Sequence, residues 1–296
     1  MNKVAIIIVN WNTGALLTAC VQSLLALPEI TTIESIVVID NASSDTSVAQ
    51  LRSYLTNQLA SQVHIITSSA NLGFARANNV AIAQHVATTG TTAPHILLLN
   101  PDTQVSPNAI TKMIEALQNN PRYGIVGPKL LNPDGSLQPS IRRFPTLPVM
   151  VAFFLKLGST LTSTAFGRHY LASDYNYEQA GVVDQVMGAA FLIRNTTWQQ
   201  VGPLDEAFWI WFEEVDYCRR AKNAGWDTAF VPVASVMHVG GSSFGQLHSL
   251  QRSLPFLKTA WRYAAKHLSL ATTMLLTILF PVAIILTLPA SFKRSK

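Results

Sequence analysis

Val4-Ala5-Ile6-Ile7-Ile8-Val9, followed at once by Asn10-Trp11-Asn12-Thr13, decides how the rest of the chain is read. An apolar run of this length, rich in β-branched residues and closed by polar ones, reads as a buried first strand. Behind Met1-Asn2-Lys3 it superficially resembles a signal peptide. The apolar run is short, however, and Asn10-Trp11-Asn12 interrupts it where a cleavable peptide would continue. Downstream, Leu16, Leu17, Cys20, Val21, Leu24 and Leu25 recur at helical spacing, and Ile36–Ile39 is a second strand. Val63–Ile66 and Ile96–Leu99 supply two more, with helical patterns around Val48–Leu59 and Ala75–Val86 between them. Strands alternating with helices argue for an α/β protein with a mainly parallel sheet flanked by helices. Ligands of such sheets bind beyond the carboxyl ends of the strands.

Three of those ends carry polar clusters: Asn10-Trp11-Asn12-Thr13, Asp40-Asn41-Ala42-Ser43-Ser44-Asp45 and Asn100-Pro101-Asp102. Their shared position is more telling than any one of them. Asn100 and Asp102 offer oxygens suited to a hard divalent cation that shares its other positions with phosphates. Asn132-Pro133-Asp134 repeats the tripeptide, but Gly135 follows it, so that copy reads as a turn between extended segments. Ser106-Pro107 reads as the N-cap and first-turn proline of a further helix carrying Ile110, Met113, Ile114 and Leu117. Val183–Val186, Ala190–Ile193 and Thr228–Val231 read as later strands, while residues 159–178 fit no pattern.

A second acidic group, Glu213-Glu214-Val215-Asp216, follows the aromatic run Phe208-Trp209-Ile210-Trp211-Phe212. Bulky apolar neighbours strip water from carboxylates, raise their pKa and so make general bases for work near neutrality. The competing reading is structural. Residues 213 to 224 form a helix with acids in its first turn, Arg219, Arg220 and Lys222 near its end and Gly225 as its stop, an order that complements the helix dipole. Asn71-Leu72-Gly73-Phe74-Ala75-Arg76-Ala77-Asn78-Asn79 reads either as a turn entering a helix or as a wall against a nucleotide. His238, on a short apolar run, reads as a hydrogen-bonded core residue unless it comes near Asp102.

The 296 residues suffice for one large domain. The formal charge is +5 and no block of consecutive Lys or Arg points to nucleic acid. Cys20 and Cys218 are the only cysteines, read as buried thiols in a reducing compartment, and zinc spacing is absent. Leu268 to Phe292 is a stretch of 25 residues without a charge. A membrane crossing takes about 20. Pro281 lies near its middle, and Lys258, Arg262, Lys266, Lys293, Arg294 and Lys296 flank it. A tilted span and a re-entrant or interfacial helical hairpin are both open. The expected division is a catalytic domain over residues 1–250, then a basic linker and apolar membrane segment over 251–296.

In this order, these segments resemble the inverting family 2 glycosyltransferases of GT-A fold, over roughly residues 3 to 245. Gly188-Ala189-Ala190-Phe191 belongs to the same set. Arg142-Arg143-Phe144-Pro145 and His238-Val239-Gly240-Gly241-Ser242-Ser243 narrow the likeness to bacterial rhamnosyltransferases of cell-surface polysaccharide assembly. The resemblance implies that Asn10, Trp11 and Asp40 hold the nucleoside, with Arg76 close by. It gives Asn100 and Asp102 the place of the family's acidic metal motif, with Asp102 as ligand of a Mg²⁺ or Mn²⁺ beside the diphosphate, and His238 completing metal binding. Glu214 falls on the catalytic base, Glu213 beside it shapes the acceptor site, and Gly188 and Ala189 line the acceptor pocket. Two positions depart from the commoner pattern: Asn100 replaces an acid, and Glu214 stands where Asp is frequent.

The expected protein is therefore a metal-dependent transferase. It moves a deoxyhexose such as rhamnose from a dTDP- or UDP-sugar to a hydroxyl of a lipid-linked glycan. It works at the cytoplasmic face of the bacterial inner membrane, held there by its C-terminal segment. Two rivals are a sugar-nucleotide nucleotidyltransferase and a non-catalytic membrane-tethered sugar-nucleotide binder. The first usually opens on a Gly-rich basic loop, where this chain has Asn10-Trp11-Asn12-Thr13. The second is opposed by the retained Asp102 and Glu214.

Overall fold

The computed structural model describes residues 3–56, 61–90, 95–241 and 249–288. Its first half alternates strand and helix: β1 (Val4–Asn10), α1 (Ala15–Leu25), β2 (Ile33–Asp40), α2 (Ser47–Thr56), β3 (Val63–Thr67), α3 (Phe74–Thr89) and β4 (His95–Leu99). Then come β5 (Thr103–Val105), α4 (Ala109–Asn119), β6 (Tyr123–Leu131), β7 (Leu137–Gln138), β8 (Ile141–Arg142), α5 (Leu147–Phe154) and α6 (Ala165–Tyr170). The last part holds β9 (Gly181–Val183), β10 (Gln185–Val186), β11 (Ala190–Arg194), α7 (Asn195–Val201), α8 (Glu213–Asn223), β12 (Asp227–His238), α9 (Ser249–His267) and α10 (Leu270–Ile285).

The main sheet runs β3-β2-β1-β4-β11-β6-β12-β5. Its β3-β2-β1-β4 half is parallel, as expected from the alternation. The other half is not, which corrects the expectation of a mainly parallel sheet: β11 runs antiparallel to both β4 and β6, and β12 is parallel to β6 but antiparallel to β5. The sheet is mixed, because β11 enters between β4 and β6 from the opposite end. Side chains alternate across a strand, so β1 sends Ile7 and Val9 to one face and Val4, Ile6 and Ile8 to the other. The second face packs on α1 and α4 through Leu17, Leu24, Ile110 and Met113. The first face carries the larger core, shared with Phe154, Phe212, Tyr217, Tyr263 and Leu276.

Two local expectations change. Helix α4 starts at Ala109 with Asn108 in the left-handed region as its N-cap, not at Ser106-Pro107. The Ser106 carbonyl closes a turn by accepting from the Ala109 amide at 3.1 Å, and its hydroxyl takes a bond from Ser235 on β12. Residues 159–178, unassigned by pattern, hold a 3-10 turn at Gly158–Ser163 and α6. At the C-terminus, residues 251–267, the basic linker of the sequence reading, form the body of α9, with Leu257, Ala260, Tyr263 and Ala264 in the main core. Helix α10 covers Leu270–Ile285, and Phe280 meets Phe154 edge-on at 5.9 Å. No helix among the described residues is long and apolar enough to cross a membrane.

Candidate active site

Backbone register brings the polar strand ends together. Asn10 pairs with Asp40 at the ends of β1 and β2, and Ile8 pairs with Leu99, one residue before Asn100. Over this edge opens a cavity of about 510 Å³. Its lining includes Val9, Trp11, Asn41, Asn71, Gly73 and Phe74, together with Asn100, Pro101, Asp102 and His238. Met187, Gly188 and Ala189, the segment Trp209, Ile210, Trp211, Glu213 and Glu214, and Arg252 of α9 line it as well.

Eight residues singled out from the sequence therefore meet in one cavity: Trp11, Asn100, Asp102, Gly188, Ala189, Glu213, Glu214 and His238. Asn10, Asp40 and Arg76 are not in its lining. The Asn10 amide donates to Asp40 Oδ1 at 3.0 Å, Ser43 Oγ at 3.1 Å and Ser47 Oγ at 2.9 Å, fixing the loop after β2 from behind. Arg76 lies exposed on α3, 3.8 Å from Glu206. Asn78 caps back onto the Phe74 carbonyl and Asn79 holds the loop at Leu204, so both anchor backbone. Asn41 does line the cavity: its amide donates to Asn71 Oδ1 at 2.9 Å while its oxygen accepts from the Leu72 amide at 2.7 Å. Gly73 is required at the same corner. Its φ is +77°, and a Cβ there would lie 2.3 Å from the Trp209 carbonyl, which already accepts from the Phe74 amide.

Asp102 and His238 do come together, with Nε2 of the ring 3.4 Å from Oδ1. The amide of Gly240 donates to Asp102 Oδ2 at 3.1 Å, and the Val239 amide donates to the Asp102 carbonyl. The tautomer follows from Gln138. Its amide nitrogen donates to Asn132 Oδ1 and to the His238 carbonyl, leaving Oε1 to face His238 Nδ1 at 2.7 Å. Nδ1 thus carries the proton and Nε2 presents its lone pair toward Asn100 and Asp102, the arrangement that a metal-binding imidazole uses. The second Asn-Pro-Asp copy closes the hairpin between β6 and β7 as a turn, with Asp134 Oδ1 accepting from the amide and hydroxyl of Ser136. That hairpin is what delivers Gln138 to His238, a link absent from any local sequence signal. Among the described residues no three His, Cys, Asp or Glu cluster around a metal position. Asp102 and His238 suit a cation that completes its shell with phosphate oxygens.

The same cavity is lined by two glutamates, Glu213 and Glu214. Trp211 and Phe212 both have positive φ, 61° and 67°, a costly conformation for aromatic residues that turns the chain abruptly into α8. The turn aims the first helical residues at the cavity. Oε2 of Glu213 and Oε2 of Glu214 are both buried without a hydrogen-bond partner. Burial raises the pKa of both carboxyls, and for Glu213 the charge of Glu214 adds to the rise. A Cβ on Gly188 would approach Glu214 Cβ to 3.7 Å, so the glycine keeps space open against the acid. Burial also pushes the Tyr170 phenol of α6 up to about 12, Arg142 opposing and Glu214 adding to the rise. Asp216 behaves oppositely. Burial alone would raise it, but His267, Lys266 and Arg220 all bond to its carboxylate and bring it down to about 2. One segment thus holds two carboxyls that favour protons and one that sheds its own.

Comparison with known proteins bears on the family and the fold. The model of a family described as glycosyltransferase like family 2 matches residues 2–253. An N-acetylglucosaminyl-diphospho-decaprenol L-rhamnosyltransferase of Mycobacterium tuberculosis is 30% identical over 218 residues, 72% of this chain and 68% of the relative. The low-salt glycan biosynthesis hexosyltransferase Agl10 of Haloferax volcanii is 24% identical over 71% of this chain and 60% of its own. Among solved structures, the mannosyltransferase PcManGT of Pyrobaculum calidifontis, in complex with GDP-Man and Mn²⁺, has a TM-score of 0.59 at 12% identity. That likeness covers 97% of this chain and 73% of the mannosyltransferase. GalNAc-T7 with UDP, GalNAc and Mn²⁺ also reaches 0.59, at 16% identity, over 80% of this chain and 43% of that one. These two likenesses bear on the fold alone, an α/β arrangement of GT-A type with a mixed sheet flanked by helices.

Proposed function

The chain belongs to the glycosyltransferase like family 2, and from that premise we propose that it transfers a deoxyhexose, rhamnose or a near relative. The donor is a dTDP- or UDP-sugar and the acceptor a hydroxyl of a lipid-linked glycan in cell-surface polysaccharide synthesis. The observation that carries this reading is the presence of two unlike sites in one cavity: Asp102 with His238, and Glu214 with Glu213. A diphosphate and an acceptor hydroxyl need those two chemistries in one pocket.

In this reading Trp11 and Asn41 receive the nucleoside, and Asp40 with Asn10 holds the loop that carries Asn41. Asp102 and His238 hold a Mg²⁺ or Mn²⁺, which when bound neutralises charge on the departing diphosphate. Gly188 and Ala189 leave room for the acceptor beside Glu214. The Glu214 carboxylate accepts the acceptor's hydroxyl proton as the oxygen bonds to the anomeric carbon. The bond from that carbon to the diphosphate oxygen breaks on the opposite face, which inverts the configuration. Burial supports Glu214 in this role, because a carboxylate short of water binds a proton more readily. The exposed apolar face of α10 supports attachment to a membrane, and a lipid-linked acceptor fits work at the cytoplasmic face of the bacterial inner membrane, the location in this reading.

Two variants test the assignment in transfer assays with labelled nucleotide sugars. Glu214→Gln keeps the size and removes the base, so kcat falls by about 10²–10⁴-fold with donor affinity nearly intact. Asp102→Ala abolishes the Mn²⁺ dependence of donor binding, while Asp134→Ala, on its exposed turn, is mild. Full turnover by Glu214→Gln, or equal effects of the two aspartate variants, would defeat the reading.

A further inference from the structure

A second cavity of about 590 Å³ lies away from the one just described, between α9 and α10. Lys258, Trp261 and Arg262 enter it from α9, and Thr277, Phe280 and Pro281 from α10. Each set has the spacing i, i+3, i+4, so one face of each helix forms a wall. Trp261 donates from Nε1 to Thr277 Oγ1 at 2.8 Å and bridges the walls. Both charges in the lining are positive, and no carboxylate enters it. Arg262 pairs through Nη2 with Asp205 at 3.2 Å, but its Nε is buried without a partner. Lys258 is exposed and has no acidic partner among the described residues.

Alongside runs an uncovered apolar stripe on α10, where Leu270 is 71%, Ile278 70% and Ile285 63% exposed. At about 100° per residue, Pro281 lies about 60° from Ile278 and about 40° from Ile285, so groove and stripe share an edge. A helix with such a stripe rests in the interface of a bilayer, and indole rings favour the same level. The cations beside it then stand at the depth of the lipid phosphates.

We propose that this groove binds the headgroup of an anionic phospholipid of the bilayer. Lys258 and Arg262 meet the phosphate, while Trp261, Phe280 and Pro281 lie against the glycerol and the first methylenes. The site rests on the membrane attachment read above and adds a specific lipid contact to it. A free inorganic anion would leave the apolar walls unmatched, whereas a phospholipid fills both halves.

The test is flotation of the full chain with vesicles of phosphatidylcholine alone and with phosphatidylglycerol added. Wild type prefers the anionic vesicles. Lys258→Gln, and separately Thr277→Glu, weakens binding to them by about fivefold, with the residual affinity for neutral vesicles retained. Both positions are exposed, and thermal melts check that the variants fold. Lys112→Gln removes the same charge from α4, where Lys112 pairs with Glu115 at 2.9 Å, and leaves the preference unchanged. Undiminished preference in both groove variants overturns the lipid site, as does equal loss in Lys112→Gln. Wild type that binds neutral and anionic vesicles equally also overturns it and leaves attachment standing. Wild type that binds neither removes the attachment and the site together.

Discussion

Glu213 and Glu214 are neighbours in sequence, share the first turn of α8 and lose water together. Each therefore resists ionisation more than an isolated glutamate, and the charge of Glu214 adds to the rise at Glu213. Glu213 is thus the second of the two to ionise and stands neutral while Glu214 titrates. Replacing Glu213 by Gln exchanges one neutral side chain for another of the same size, so the acid limb of the kcat/KM profile, which in the proposed reading reports Glu214, stays in place. A limb displaced to lower pH in Glu213→Gln would mean that a charged Glu213 opposes the ionisation of Glu214. At this scale much was legible. Asn100, Asp102, Glu213, Glu214 and Gly188 stood out as polar or small residues at strand and helix ends, and all reach one cavity. Their supports were not. Gln138, which sets the tautomer of His238, is an ordinary glutamine on a two-residue strand, and only the hairpin register brings it there.

Between elements, the decisive contact is Asp216. Its i, i+4 pair with Arg220 could be read from the helix pattern. Its bonds to Lys266 and His267 at the end of α9 could not, because they cross 51 positions of chain in the case of His267. The same stretch of α9 reaches Asp205 through Arg262 and Lys266, so its basic end is a clamp on α8 and its preceding loop. A carboxyl held at about 2 instead of 3.8 contributes about 2.5 kcal/mol, present above pH 3.8 and lost as pH falls toward 2. Asp216→Asn therefore lowers stability by about 2 kcal/mol at pH 7 in urea melts. The gap from wild type closes as the pH drops below 4. The aromatic entry to α8 was equally hidden. Nothing in Trp211-Phe212 signals two consecutive left-handed residues, which tertiary packing imposes against local preference.

For the whole molecule, alternation of strand and helix was enough to give the parallel half of the sheet and its ligand edge. Strand direction in the other half was not, since an apolar run carries no sign of which way it points, and β11 reverses between two neighbours. The C-terminal apolar stretch was visible as a stretch, but its division was not. Leu276 and Ala283 are fully buried in the main core, while Ile278 and Ile285 of the same helix face outward. A deletion of residues 268–296 thus removes part of the core as well as the stripe. It should lower the stability of what remains by about 3 kcal/mol or more, counting Leu276 and Phe280 alone, and thermal melts will register it. An unchanged melting temperature would mean that α10 is an appendage. Charged substitutions on the stripe, such as Ile278→Asp, are the cleaner probe of attachment.

Trp11, Trp209 and Trp211 line the cavity over the strand ends, and they are half of the six tryptophans in the chain. Trp198, Trp226 and Trp261 lie elsewhere and contribute a constant background. An indole emits differently once a nucleobase or a sugar displaces the water around it, so filling this cavity alters the protein's own ultraviolet fluorescence. The molecule can therefore be titrated with unlabelled nucleotide sugars and read by eye of a fluorimeter, before any acceptor has been identified. Trp11→Phe and Trp211→Phe then show how much of the signal each ring carries.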